Sequence, residues 1–209
     1  MRWITGSCPH GAWIGLLERG MLRQFTARLR EGSTVWDIGA NVGLYTLASS
    51  RAVGNGGRVY AFEPMPRNLE HLRRHIAMNG LANVIVVPSA ASDADGMLRM
   101  AEGDSPSEFH ADERGEFEIE AIALDRWQSE CGGPPPEVVK IDVEGAETQV
   151  LRGAATTFSR DRPVIFLALH GDAQRRDCRE LLTGWGYRIR PAGDADDVEH
   201  SSEWLAEPI

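Results

Sequence analysis

Lys140, Asp142 and Glu144 interleave with Val139, Ile141 and Val143 in one short run. In a strand, that period of two puts the charged set on one face and the aliphatic set on the other. A strand inside a parallel sheet is normally apolar on both faces, so charges there cost solvation free energy unless they pair or line a pocket. Lys140 is the chain's only lysine, which makes its place beside a carboxylate two residues on informative. Two readings follow. One is a structural Lys140–Asp142 ion pair at a sheet edge. The other is an acid–base site in which Asp142 or Glu144 orients and deprotonates a hydroxyl, with His170, at the end of the next apolar run, as the alternative base.

A second signature lies upstream in Val35-Trp36-Asp37-Ile38-Gly39-Ala40-Asn41-Val42-Gly43. Glycines between a strand and a helix let a ligand approach the backbone closely. A dinucleotide site calls for G-x-G-x-x-G, with pyrophosphate on bare amides at the helix start. Here the spacing is G-x-x-x-G, and Asp37 points a carboxylate into the turn. That charge is unfavourable beside a pyrophosphate and suits a ligand carrying an ammonium and a sulfonium, which describes S-adenosylmethionine. Glu63, twenty residues after Gly43 and just before Pro64, can accept hydrogen bonds from both ribose hydroxyls. Asn41, Pro64, Ser89, Ala90 and Asp142 complete the candidate cofactor contacts, Ser89 and Ala90 because they follow the third strand. The rival classes are an NAD(P)-dependent oxidoreductase, disfavoured by the glycine spacing, and a non-catalytic adenosylmethionine-binding module.

Positioning these residues requires strands and helices in alternation. From Val35 onward, short β-branched runs alternate with longer stretches of helical period, the pattern of an α/β, Rossmann-like fold: a mostly parallel central sheet with helices on both faces. Strands are expected over 34–38, 58–62, 84–87, 138–143, 163–169 and 187–190. Helices are expected from Leu44 to about Val53, from Pro64 and Pro66 to Asn79, from Gly145 to about Phe158, and from about Ala173 to Trp185. Residues 97–100 and 117–123 read as a hairpin insert whose polar, acidic loop, 101–115, is either a lid or a plain solvated loop. The first thirty residues read as an amphipathic lead-in with Leu16, Leu17, Leu22, Phe25 and Leu29 on its apolar side. One domain is expected over 1–209: lead-in 1–30, core 31–192, acidic tail 193–209.

With 209 residues, a formal charge of -9 and 22 Lys+Arg against 31 Asp+Glu, the chain is long enough for a full core and disfavours nucleic acid as a partner. Cys8, Cys131 and Cys178 show neither CxxC nor a zinc spacing, which fits a cytoplasmic protein. No run reaches the ~18 apolar residues of a membrane span. Oligomeric state has no sequence signal.

The strings Trp36–Gly43, Phe62-Glu63-Pro64 and Lys140-Ile-Asp-Val-Glu-Gly-Ala-Glu147 together resemble the FkbM-type methyltransferase family. The similarity extends from a lead-in at Trp13-Ile14-Gly15 with Glu18 to about His170, and is most specific from Lys140 through Val150-Leu151-Arg152-Gly153-Ala154. The resemblance implies a class I methyltransferase fold and O-methylation of a sugar or other hydroxyl-bearing small molecule. Where the family commonly carries a Glu two residues before the strand-five His, this chain has Ala168. Methyl transfer by in-line displacement requires no metal. Asp142, Glu144 and Glu147 could still gather a divalent cation, but helical spacing puts Glu147 on the surface.

Overall fold

The computed structural model describes residues 1–4, 7, 19–102, 109–111, 114–131, 133–193 and 195–209. Cys8, the 13–15 lead-in with Glu18, Leu16, Leu17 and most of the expected lid lie outside them. In chain order the elements are α1 (Arg19–Thr26), β1 (Thr34–Ile38), α2 (Leu44–Val53), β2 (Arg58–Phe62), α3 (Pro66–Asn79), β3 (Val84–Val87), β4 (Ala90–Ser92), β5 (Gly96–Glu102), β6 (Phe109–Ala111), β7 (Phe117–Ala123), α4 (Leu124–Cys131), β8 (Val138–Ile141), α5 (Glu147–Gly153), α6 (Ala155–Asp161), β9 (Val164–Ala168), α7 (Asp172–Gly184), β10 (Tyr187–Pro191) and β11 (Glu203–Pro208).

A seven-stranded sheet runs β10-β11-β9-β8-β1-β2-β3. The five strands from β9 to β3 are parallel, and β11 is antiparallel to both of its neighbours. The alternation read in the sequence sorts the side chains between the two faces. Trp36, Ile38, Val139, Ile141, Ile165 and Leu167 pack on one side against Val150, Leu151, Phe158 and Leu182 from α5, α6 and α7. Val35, Val138 and Phe166 pack on the other against Met21 and Phe25 of α1 and Tyr45 and Val53 of α2. Leu22 and Leu29 of the lead-in join this second cluster.

Three expectations are corrected. The acidic tail ends in β11, which inserts between β9 and β10 instead of trailing from the domain. Trp204, Leu205 and Ala206 are buried on both faces of the sheet, so the strand is a continuous apolar run, easily overlooked behind the Asp-rich stretch before it. The helix expected over 145–158 is two helices, broken at Ala154. The Asp125 carboxylate accepts the backbone N–H groups of Thr156 (2.8 Å) and Thr157 (2.8 Å), which caps a fresh helix start. The segment 101–115 also contributes β6, which pairs with β5, so the insert is a small sheet in the order β4-β7-β5-β6.

Candidate active site

β1 lies between β2 and β8, so the chain leaves β1 toward one edge of the sheet and later returns on its other side. Ligands of doubly wound sheets bind at that switch, beyond the carboxyl ends of the strands. A cavity of about 400 Å³ opens there, within the range of a site for one small ligand. Gly39 follows β1, Glu63 and Pro64 follow β2, and Asp142, Val143 and Glu144 follow β8; all line the cavity, as do Asn41, Ser89 and Ala90. Leu98 and Met100 of β5, from the small sheet, also line it.

The turn after β1 is held by backbone geometry. The amides of Gly39 and Ala40 both donate to Phe62 O, and the Asp142 amide donates to Ile38 O. A Cβ on Gly39 would lie 1.8 Å from the Asp142 carbonyl oxygen, and its φ is +79°, so only glycine permits this approach. Gly43 is likewise left-handed, but it faces Leu72 of α3 and Leu47 of α2, so its smallness serves packing and not the cavity. Three described non-glycine residues have positive φ, and two of them, Asn41 (50°) and Glu144 (52°), line the cavity. Strained backbone is thus concentrated where a ligand would sit.

Glu63 is 4% exposed. Its Oε2 accepts the Asn41 amide (2.8 Å), and its Oε1 accepts the Met65 amide (2.9 Å) and Asn68 Nδ2 (3.3 Å). Burial outweighs these bonds and raises its carboxyl to about 7. Asn68, which the sequence reading missed, lines the same cavity, and its Oδ1 is buried without a hydrogen-bond partner. Such an orphan acceptor calls for a donor from a ligand. Its only sequence signal was its place in the first helical turn after Glu63.

Asp37 is placed differently from expectation. Strand alternation puts it on the Val35 face, away from the cavity lining, with Thr46 Oγ1 donating to its Oδ2 from α2. It pairs in register with Lys140 of the neighbouring strand. Burial raises its carboxyl to about 6, opposed by the Thr46 hydrogen bond and by the Lys140 charge. Lys140 is itself buried, with Nζ 3.0 Å from Asp142 Oδ2 and 4.8 Å from the centre of the Tyr45 ring. The Lys140–Asp142 ion pair therefore exists, but in the middle of the sheet and not at an edge. It runs from Asp37 beneath the turn to Asp142 at the cavity.

His170, just after β9, completes the group. Its Nε2 lies 3.2 Å from Glu144 Oε2 and 3.9 Å from Asp142 Oδ1, and its Nδ1 is 2.8 Å from Glu147 Oε1. The hydrogen bond to Glu147, against the cost of burial and with help from Glu144 and Asp142, raises the imidazole to about 9. Glu147 is fully buried, which corrects its expected surface position: α5 turns its first residue inward, under His170. Among the described residues, Asp142, Glu144 and His170 form the one group whose donor atoms lie within 4.8 Å of one another, close enough for a shared proton or for a cation.

Residues 37–189 match the methyltransferase FkbM domain model. The chain belongs to the FkbM methyltransferase family. It is 27% identical over 173 residues to the hexuronic acid methyltransferase AglP of Haloferax volcanii, covering 79% of this chain and 68% of that one. It is 27% identical over 229 residues to the 31-O-demethyl-FK506 methyltransferase FkbM of Streptomyces tacrolimicus, covering 87% of each. The structure of methyltransferase FkbM from Methylobacillus flagellatus KT superposes with a TM-score of 0.60 at 17% identity over 99% of this chain, which spans only 56% of that protein. The class I methyltransferase fold follows. No helix among the described residues is long and apolar enough to cross a membrane.

Proposed function

We propose that this FkbM-family domain binds S-adenosylmethionine in the cavity beyond β1, β2 and β8 and methylates a hydroxyl of a sugar or another small molecule. One observation carries the reading: a single cavity joins the buried Glu63 carboxylate and the unpartnered Oδ1 of Asn68 beside it to the half-buried acids Asp142 and Glu144. Glu63 and Asn68 fit the ribose hydroxyls and neighbouring polar atoms, and Ser89 and Ala90 fit the adenine end. The hexuronic acid and 31-O-demethyl-FK506 methyltransferases among the relatives support an oxygen acceptor of this class.

S-adenosylmethionine, when bound, would supply a methyl group on a sulfonium, and the sulfur would leave as a neutral thioether as the acceptor oxygen takes the methyl. The protein must then orient that oxygen and remove its proton. Asp142 and Glu144 are the residues proposed for both tasks, with Lys140 anchoring Asp142 by its Oδ2. His170, raised to about 9, is protonated at neutral pH, so it favours the carboxylates as proton acceptors and acts as their cationic partner. No metal is needed in this scheme, and turnover unchanged by a chelator is expected. A net charge of -9 argues against nucleic acid as acceptor. Free Cys131 and Cys178 support a cytoplasmic setting.

Calorimetric titration with S-adenosylmethionine, with NAD and NADP alongside, tests the cofactor. Saturable binding of S-adenosylmethionine alone is expected; binding of NAD alone would sink the reading. An acceptor screen beginning with sugars and polyhydroxylated metabolites follows from the first outcome.

A further inference from the structure

A buried carboxylate is costly unless its charge is compensated, and Glu147 is buried at the first position of α5 with its two oxygens in unequal surroundings. Oε1 accepts from the Gly145 amide (2.9 Å) and from His170 Nδ1 (2.8 Å), whereas Oε2 is buried without a partner. Favourable placement near the helix N-terminus needs only a negative charge in the first turn, which an exposed acid supplies at less cost. Burial beneath a histidine does something more specific. With Nδ1 committed to Glu147, the ring can present only Nε2 to Glu144 and Asp142.

We propose that Glu147 is the positioning residue of the acceptor site, holding His170 by Nδ1 so that Nε2 faces the two carboxylates assigned to the acceptor proton. The proposal rests on the methyltransferase reading for the role of Asp142 and Glu144, but the histidine geometry stands apart from it. Glu147 itself touches neither acceptor nor cofactor. A carboxylate that fixes the orientation of a histidine and holds its charge acts through that histidine, so its removal is felt in turnover more than in binding.

Ring nitrogen NMR of ¹⁵N-histidine protein, with His170 assigned by the resonances lost in His170→Gln, tests the geometry without any acceptor. In the wild type at pH 7 both ring nitrogens should carry protons, with the Nδ1–H resonance moved downfield by its hydrogen bond to the Glu147 carboxylate. Glu147→Gln keeps the volume and removes the charge, and should reduce that downfield shift and lower the pH at which the His170 ring titrates, while leaving the S-adenosylmethionine Kd within about twofold. If Glu147→Gln does not fold, Glu147→Asp, which draws the carboxylate back by one methylene, should show the same loss in part. With an acceptor in hand, Glu147→Gln should lower kcat by about 100-fold at little change in KM, and adding it to His170→Gln should cost nothing further. Unchanged His170 ring resonances and titration in both Glu147 variants overturn the proposal, as do fully additive losses in the double variant. Failure of the wild type to bind S-adenosylmethionine would remove the methyltransferase reading and leave the histidine result to stand or fall alone.

Discussion

Glu63 and Glu147 are both buried acids in or beside one cavity, yet they are held in opposite ways. Glu63 takes two backbone amides, from Asn41 and Met65, so its orientation is set by the turn after β1 and the start of α3. Glu147 takes one amide and the His170 ring, so its surroundings depend on a side chain arriving from β9. Backbone donors cannot rotate away, and they fix an acceptor toward a ligand whose polar atoms are always the same. A side-chain partner can be repositioned or change its protonation, which suits an end of the cavity where a proton must move. The contrast fits the proposed division, with the cofactor at the Glu63 end and the acceptor at the Glu147 end.

Lys140 joins the two ends, lying between Asp37 under the turn and Asp142 at the rim, and its loss gives the largest expected effect. Lys140→Met leaves two carboxylates without their buried cation and should destabilise the fold by about 3 kcal/mol, measured by urea unfolding. A loss below about 1 kcal/mol would show that solvent reaches the pair and that the two ends are not linked. Gly39→Ala comes next. It must move the Asp142 carbonyl and adopt a strained φ, so a loss of about 2 kcal/mol is expected together with at least tenfold weaker S-adenosylmethionine binding. Unchanged affinity would show that the approach of β1 to β8 does not shape the cofactor end.

The two ends also differ in how legible they were in the sequence. The cofactor end is local: Gly39 and Asn41 stand two residues apart in one turn, and Glu63 directly follows the next strand, so strand–turn–helix grammar locates them. Even so, the pattern could not say which face Asp37 would take, because the compensating Lys140 comes from a strand a hundred residues later that pairs only in the folded sheet. The acceptor end is assembled across β8, α5 and β9. Alternation exposed Asp142 and Glu144, but helical spacing alone put Glu147 outside, since nothing local showed that His170 would cover it. β11 was hidden for a similar reason: a three-residue apolar core gains strand character only from the two neighbours that flank it.

Smaller effects separate binding from chemistry. Glu63→Gln should weaken S-adenosylmethionine by about tenfold or more, because an amide offers one acceptor where the carboxylate offers two, whereas His170→Gln should leave affinity within about twofold and abolish most turnover. Equal losses of affinity in the two variants would erase the division between the ends.

The pH dependence of binding sharpens the same point through the sign of the Glu63 shift. Burial raises that carboxyl to about 7, so in the cofactor-free protein it takes up a proton as pH falls through neutrality, and one oxygen then ceases to be a pure acceptor. If only the ionised form binds ribose hydroxyls, affinity should be about tenfold weaker at pH 6 than at pH 8, and Glu63→Gln should flatten that slope. Linkage carries a consequence for the empty protein. Asp37 and Glu63 are both raised above their unfolded values, so their contribution to stability is complete below about pH 4 and is lost as pH rises through 6 to 7. The cofactor-free protein should therefore melt at a lower temperature at pH 8 than at pH 5.5. Saturating S-adenosylmethionine should recover the part that Glu63 contributes, because it binds the ionised carboxylate that high pH otherwise penalises, while the parts due to Asp37 and His170 should remain. A melting temperature that rises over the same interval would mean that Glu63 is already ionised and solvated without a ligand, and that its backbone donors, not the cofactor, are what it was built to meet.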